Sequence, residues 1–186
     1  MTTPLGRRTS PPHIDVRFQS SLWDGQPLAE ETVRNSVLAA AAALSTAGGE
    51  ISIVLTDDSA IRSLNRDWRG IDKPTNVLSF PTSGPATGEG THLLGDIVIA
   101  FETLERECVD ENRDFLHHLA HLAVHGFLHL NGYDHETDTQ AEEMEGLESR
   151  IMARLNMPDP YRAHGRATGG VAGGSYELSF YQRVGL

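Results

Sequence analysis

Three histidines, His125, His129 and His135, stand in the spacing H-x3-H-x5-H within the run HGFLHLNGYDH. Residues four apart lie on one face of a helix about one turn apart, so the first two imidazoles can grip a single ion. Gly132 then offers the chain a way to turn past the helix end, and His135 can fold back as a third ligand. Three neutral imidazoles without cysteine describe an open site, in which a cation keeps a coordination position for water. A cation so held lowers the pKa of water from about 15.7 toward ~7, and the chemistry implied is hydrolysis. One zinc ion fits the ligand set and its availability, although imidazole also suits nickel, copper and iron. Six of the nine histidines fall between His117 and His135, a clustering that isolated structural histidines do not produce.

The same spacing is the metal-binding half of the zincin-type protease motif H-E-x-x-H-x-x-G-x-x-H. Those proteases carry a general-base glutamate where this chain has Gly126, which accepts no proton. The metal cradle is present and the peptidase base is missing. Around the triplet, His121 lies one turn before His125, placed to pack or hydrogen-bond beside the site or to act as a ligand in a shifted register. Asp134 adjoins a ligand and can orient a histidine or accept a proton. His117 and His118 share the helix but lack the turn, and His13, His92 and His164 read as ordinary histidines.

These side chains need a scaffold to aim them. Residues 13–19 alternate Ile14, Val16 and Phe18 with polar neighbours, the period of a half-buried strand. An alanine-rich stretch from Ala29 to Thr46 has helical spacing and stops at Gly48-Gly49. EISIVLT (50–56) is a strand, Asp57 or Asp58 caps a short helix reaching about Arg66, and Val77, Leu78 and Phe80 form a strand bracketed by Pro74 and Pro81. SGPATGEG is a loop and LLGDIVIA (93–100) a fourth strand. The rest is helical, over 101–111, from Asp114 to about Leu130, and from Thr137 to about Asn156. In the last of these, Met144, Leu147, Ile151 and Leu155 mark the apolar side, and the acidic run Glu136, Asp138, Glu142, Glu143, Glu145 and Glu148 reads as a solvated face.

Strands early and helices late describe an α+β domain, a small mixed four-stranded sheet packed with helices. The expected division is a flexible leader (1–12), one catalytic metallohydrolase domain (13–157) and a Gly/Pro-rich tail (158–186) in which YELSFYQRV is a candidate strand. Composition narrows the classes further. With 15 Lys+Arg against 26 Asp+Glu, the net charge of −11 argues against coating nucleic acid or anionic membrane by bulk electrostatics. A lone cysteine, Cys108, excludes an internal disulfide and a cysteine-cage zinc site. No run approaches the ~18–20 apolar residues of a membrane span, and the start lacks a signal-peptide core, so the cytoplasm is the default compartment.

The run HGFLHLNGYDH resembles the YbeY family of bacterial rRNA maturation factors and single-strand-specific endoribonucleases. RGIDKPTNVLSFP (69–81), GDIVI (95–99) and the upstream AHL-V-H run are similar to the same family, and together they cover roughly residues 51–136. The resemblance implies a zincin-like metal-binding helix without the protease glutamate, and a zinc held by His125, His129 and His135. It also implies a functional arginine at Arg69 and a role in 16S rRNA 3′-end processing and ribosome quality control.

Guanidinium chemistry agrees, since a planar, permanently charged fork of donors suits a scissile phosphodiester. Arg69 lies outside the helical pattern beside Gly70, whereas Arg62 and Arg66 read as the wet face of a short helix. The expected activity is metal-dependent cleavage of single-stranded rRNA. Because the chain is acidic, intrinsic RNA affinity should be weak and recruitment by the ribosome or a ribosomal protein should raise the effective concentration. No nucleotide cofactor is expected. Two rivals keep the metal: a zincin-type peptidase or amidohydrolase, weakened by Gly126, and a non-enzymatic ribosome assembly factor with a structural metal, weakened by the count of three ligands.

Overall fold

The computed structural model describes residues 10–46, 48–82 and 92–162. In chain order they form β1 (His13–Phe18), α1 (Ala29–Leu44), β2 (Glu50–Thr56), α2 (Asp58–Arg69), β3 (Val77–Pro81), β4 (Leu93–Ala100), α3 (Phe101–Glu111), α4 (Phe115–Leu130) and α5 (Asp138–Arg154). A 3-10 turn at Ser21–Gly25, which periodicity does not announce, inserts Trp23 into the core. Its indole N–H donates to the Thr56 carbonyl at 2.9 Å.

The sheet has the order β1-β2-β4-β3, with β1, β2 and β4 parallel and β3 antiparallel to β4. The α+β fold with a mixed four-stranded sheet is therefore the one expected. Pro81 is tolerated because β3 is an edge strand, where a missing N–H breaks no inner ladder.

Alternation sends successive strand residues to opposite faces. Ile97 and Ile99 of β4 join Ile53 and Leu55 of β2, Val33 and Val37 of α1, and Leu119 and Phe127 of α4 in the larger core. Val98 and Ala100 enter a smaller core with Leu78 of β3 and Ile61 of α2. α4 and α2 thus cover opposite faces of the sheet.

α4 is buried continuously from His118 to Leu130, as a helix apolar on nearly every side must be. Its backbone comes so close to the sheet that a Cβ on Gly126 would meet Ile97 Cγ2 at 2.9 Å and Ser79 Oγ at 3.0 Å. Glycine at 126 is thus a packing requirement. The caps follow local chemistry: Asp57 accepts from the Ala60 N–H, Asp114 from the His117 N–H, and Thr137 with Gln140 forms a capping box on α5.

Two sequence expectations need correction. Arg69 does not lie outside the helix: it is the last residue of α2, because the left-handed cap comes only at Gly70 (φ 71), whose N–H returns to the Arg66 and Asn65 carbonyls. Glu148 is not on a solvated face: it is 0% exposed. Its position, four after Met144 and three before Ile151, lies on the apolar side of α5.

Of the leader, residues 1–9 lie outside the described residues, as do the loop over 83–91 and the tail from 163, with its candidate strand. The described start of that tail, 158–162, is held to α5, where the Ser149 hydroxyl donates to Asp159 at 2.9 Å.

Candidate metal centre

α4 supplies two of the three imidazoles and the turn after it supplies the third. Gly132 (φ 87) takes the conformation that reverses the chain, its N–H donating to the His129 carbonyl while the Tyr133 N–H donates to Leu128. The His135 ring is thereby carried to 5.0 Å from the His129 ring and 5.5 Å from that of His125, centroid to centroid. One ring nitrogen from each of the three lies within 4.8 Å of the others, a group that could hold a metal ion.

The ring protons can be placed from their partners. His129 Nδ1 lies 2.9 Å from the Tyr133 carbonyl, which can only accept, so Nδ1 carries the proton. His125 Nδ1 lies 2.7 Å from Glu148 Oε1, and an ionised carboxylate likewise only accepts. In neutral imidazoles both Nε2 atoms are then bare lone pairs, yet they face each other at 2.9 Å. Two acceptors at that distance repel unless a cation lies between them. His135 Nε2 is also buried and has no hydrogen-bond partner among the described residues. The donor set therefore fits a cation that accepts several nitrogen ligands.

Burial keeps the His125 and His129 rings neutral. It pushes His129 down to about 3, with repulsion from His125 and His135 adding to the effect. Burial also lowers His125, outweighing the pull of Glu148. For Glu148, burial alone would raise the carboxyl, but His121 and His125, by charge and hydrogen bonding, hold it well below the usual carboxylate range. Neutral imidazole is the form a metal needs.

Glu148 is the residue that sequence reading missed. Besides His125 it bonds His121 Nε2 at 3.2 Å and accepts from the Tyr161 hydroxyl. His121 thus lies next to the triplet, on the far side of the carboxylate, and forms a second candidate group with His125 and Glu148. Tyr161 carried no signal, sitting in a segment that composition marks as tail. Asp134 accepts from the backbone N–H of His135 at 2.9 Å, so it supports the loop that carries this ring.

The second motif block reaches α4 through side chains. Asn76 receives the Val77 N–H at 2.7 Å and donates to both carboxylate oxygens of Glu107 at 3.0 Å, and Glu107 bonds His118 Nε2 at 2.8 Å. Burial lowers the His118 pKa despite Glu107. Arg69 sits at the end of the helix on the other face of the sheet and donates to Asn65 Oδ1 at 3.0 Å, while Asn65 donates to the Lys73 carbonyl at 2.7 Å. Burial lowers the Arg69 pKa, leaving a guanidinium still charged at neutral pH. Arg62 and Arg66 are exposed and paired with Asp72 and Asp67, as a wet helix face would be. Beside Arg69, Trp68 is half-exposed and meets the Phe80 ring edge to face.

His13 lies exposed on β1 and His92 precedes β4, both away from the cluster by sequence and element, while His164 is outside the described residues. No described helix is long and apolar enough to cross a membrane.

A protein from Bradyrhizobium sp. (strain BTAi1), named Endoribonuclease YbeY, is 53% identical over 81% of this chain and 92% of its own length. A protein of the same name from Rhodopseudomonas palustris (strain BisA53) is 51% identical over 84% of this chain and 94% of its own. The solution structure of TM1509 from Thermotoga maritima is similar at 23% identity, with a TM-score of 0.49 over 80% of this chain and 99% of that one. The family model described as endoribonuclease YbeY matches residues 22–156, which span every described strand and helix except β1, and with that match the chain belongs to the YbeY family.

Proposed function

We propose that this protein is a metal-dependent endoribonuclease acting on single-stranded rRNA, with His125, His129 and His135 as the ligands of one zinc ion. The observation that carries the reading is the pair of Nε2 atoms of His125 and His129 facing each other 2.9 Å apart, beside the buried Nε2 of His135. When bound, such a cation acidifies water and draws charge from a phosphoryl oxygen. The chain's own groups do the rest. His125 and His129 donate their Nδ1 protons to Glu148 and to the Tyr133 carbonyl, which holds each ring in one orientation and one tautomer. Arg69 steadies the scissile phosphate with its planar fork and offsets the charge that builds on it.

The relatives' name, endoribonuclease, supports cleavage of RNA, and Gly126 weighs against the peptidase rival. A glutamate side chain at 126 would start from a Cβ already pressed on Ile97 and Ser79. The finer reading is a cytoplasmic enzyme of 16S rRNA 3′-end maturation and ribosome quality control. Its net charge of −11 makes bare RNA a weak ligand, so the ribosome or a ribosomal protein brings substrate to the site. The test is incubation of purified protein with a single-stranded rRNA fragment, with and without chelator, alongside elemental analysis. Cleavage that a chelator abolishes and zinc restores is expected. Chelator-independent cleavage, or none from metal-loaded protein, would overturn the proposal.

A further inference from the structure

We infer that Glu148 is a positioning residue for the metal-binding imidazoles: its carboxylate fixes His125 in the tautomer that turns Nε2 toward the site, and His121 and Tyr161 hold that carboxylate in place. This rests on reading His125 as a ligand, as proposed above.

Glu148 comes from α5, 23 residues beyond His125, and none of its surface reaches solvent. A charge so buried is costly unless each lone pair finds a donor. Here donors converge from two elements: His121 and His125 from successive turns of α4, and the Tyr161 hydroxyl from the segment after α5. Oε1 is committed to His125 Nδ1 at 2.7 Å, while His121 and Tyr161 both bond Oε2. That division leaves one carboxylate oxygen with a single task, which is to hold the His125 proton on Nδ1. With the proton there, the lone pair is on Nε2, the atom that faces His129 at 2.9 Å. A backbone carbonyl can enforce the same tautomer, and it is what His129 uses.

A purely structural role makes a different forecast. A buried ion replaced by an apolar side chain of similar volume is often neutral or stabilising, so Glu148→Met should then leave cation binding alone. A positioning role separates the two quantities: Glu148→Met keeps the metal-free fold but lets the His125 proton move to Nε2, and affinity falls by about 10–100-fold, the usual cost of losing such a partner. Glu148→Gln retains an amide oxygen that can accept from Nδ1 and should recover most of the loss.

The experiment measures Zn2+ and Co2+ affinity of the full chain by competition with a chromophoric chelator, thermal stability of each metal-free variant, and the His125 tautomer from the ring 15N shifts of metal-free wild type. Expected are Nδ1–H in wild type, weaker binding by Glu148→Met with a changed Co2+ absorption band, and near-native binding by Glu148→Gln. Should Glu148→Met fail to fold, the wild-type tautomer still decides, and an Nε2–H ring at His125 overturns the inference. Equal affinity of wild type and Glu148→Met overturns it while leaving the ligand assignment standing. Wild type that binds neither ion overturns the ligand assignment itself, and the inference with it.

Discussion

His129 donates its Nδ1 proton to the backbone carbonyl of Tyr133 at 2.9 Å, tying the last turn of α4 to the loop that carries His135. One bond thus does two things. It selects the tautomer of one imidazole and holds in register the chain that delivers another.

Replacing His135 separates metal binding from folding. Its side chain is partly exposed and follows the helix end, so His135→Ala should fold with metal-free stability within about 0.5 kcal/mol of wild type. Elemental analysis after dialysis should find the ion lost, and cleavage of a single-stranded rRNA fragment should fall at least about 10²-fold. Retention of a full complement of metal would remove His135 from the ligand set.

Acid should destabilise the metal-free protein from the histidine range downward. The folded pKa values of His118, His125 and His129 are depressed, that of His129 to about 3, so the folded state binds fewer protons than the unfolded one below about pH 6.5. Their contribution is fully present above about pH 6.5 and is lost as pH falls toward the folded values. Glu148 adds to the loss once pH drops below the ordinary carboxylate range, because its folded value is depressed too. Thermal melts from pH 8 to pH 4 should show Tm falling steadily below about pH 6.5. A flat profile between pH 6.5 and 4 would contradict this.

Position 126 should refuse any side chain. Gly126→Ala places a methyl at 2.9 Å from Ile97 Cγ2 and should cost about 1–3 kcal/mol in denaturant melts, with α4 displaced from the sheet. Gly126→Glu should be less stable again and should acquire no peptidase activity on casein. Native stability in Gly126→Ala would show that the sheet gives way freely there.

On the role proposed for it at the phosphate, Arg69→Ala should cut RNA cleavage about 10²-fold and leave metal content unchanged. The lost bond to Asn65 should cost only about 1 kcal/mol. Arg69→Lys, which keeps charge but not the planar fork, should restore part of the rate. Unaltered single-turnover cleavage by Arg69→Ala would remove this residue from the mechanism.

The elements and the triplet were legible in the chain because their signals are local. Period-two alternation marked β1 and β2, bracketing prolines marked β3, the apolar run LLGDIVIA marked β4, helical spacing marked α1 and α3–α5, and His125, His129, Gly132 and His135 spell out one turn of helix and one reversal. Arg69 was placed wrongly by one turn because a helix end depends on which glycine takes the left-handed cap, and nothing before Gly70 announces it.

Glu148 and Tyr161 were beyond that reach. An acidic residue among four others on a helix has the composition of a solvated face, and only the packing of α5 on α4 removes this one from water. The tie from the 69–81 block to α4 through Asn76, Glu107 and His118 has the same origin. Spacing within a helix is encoded a few positions at a time, so three imidazoles able to converge could be read from the chain alone. Which carboxylate meets a buried ring depends on how distant helices stack, and that is settled only when the whole core closes.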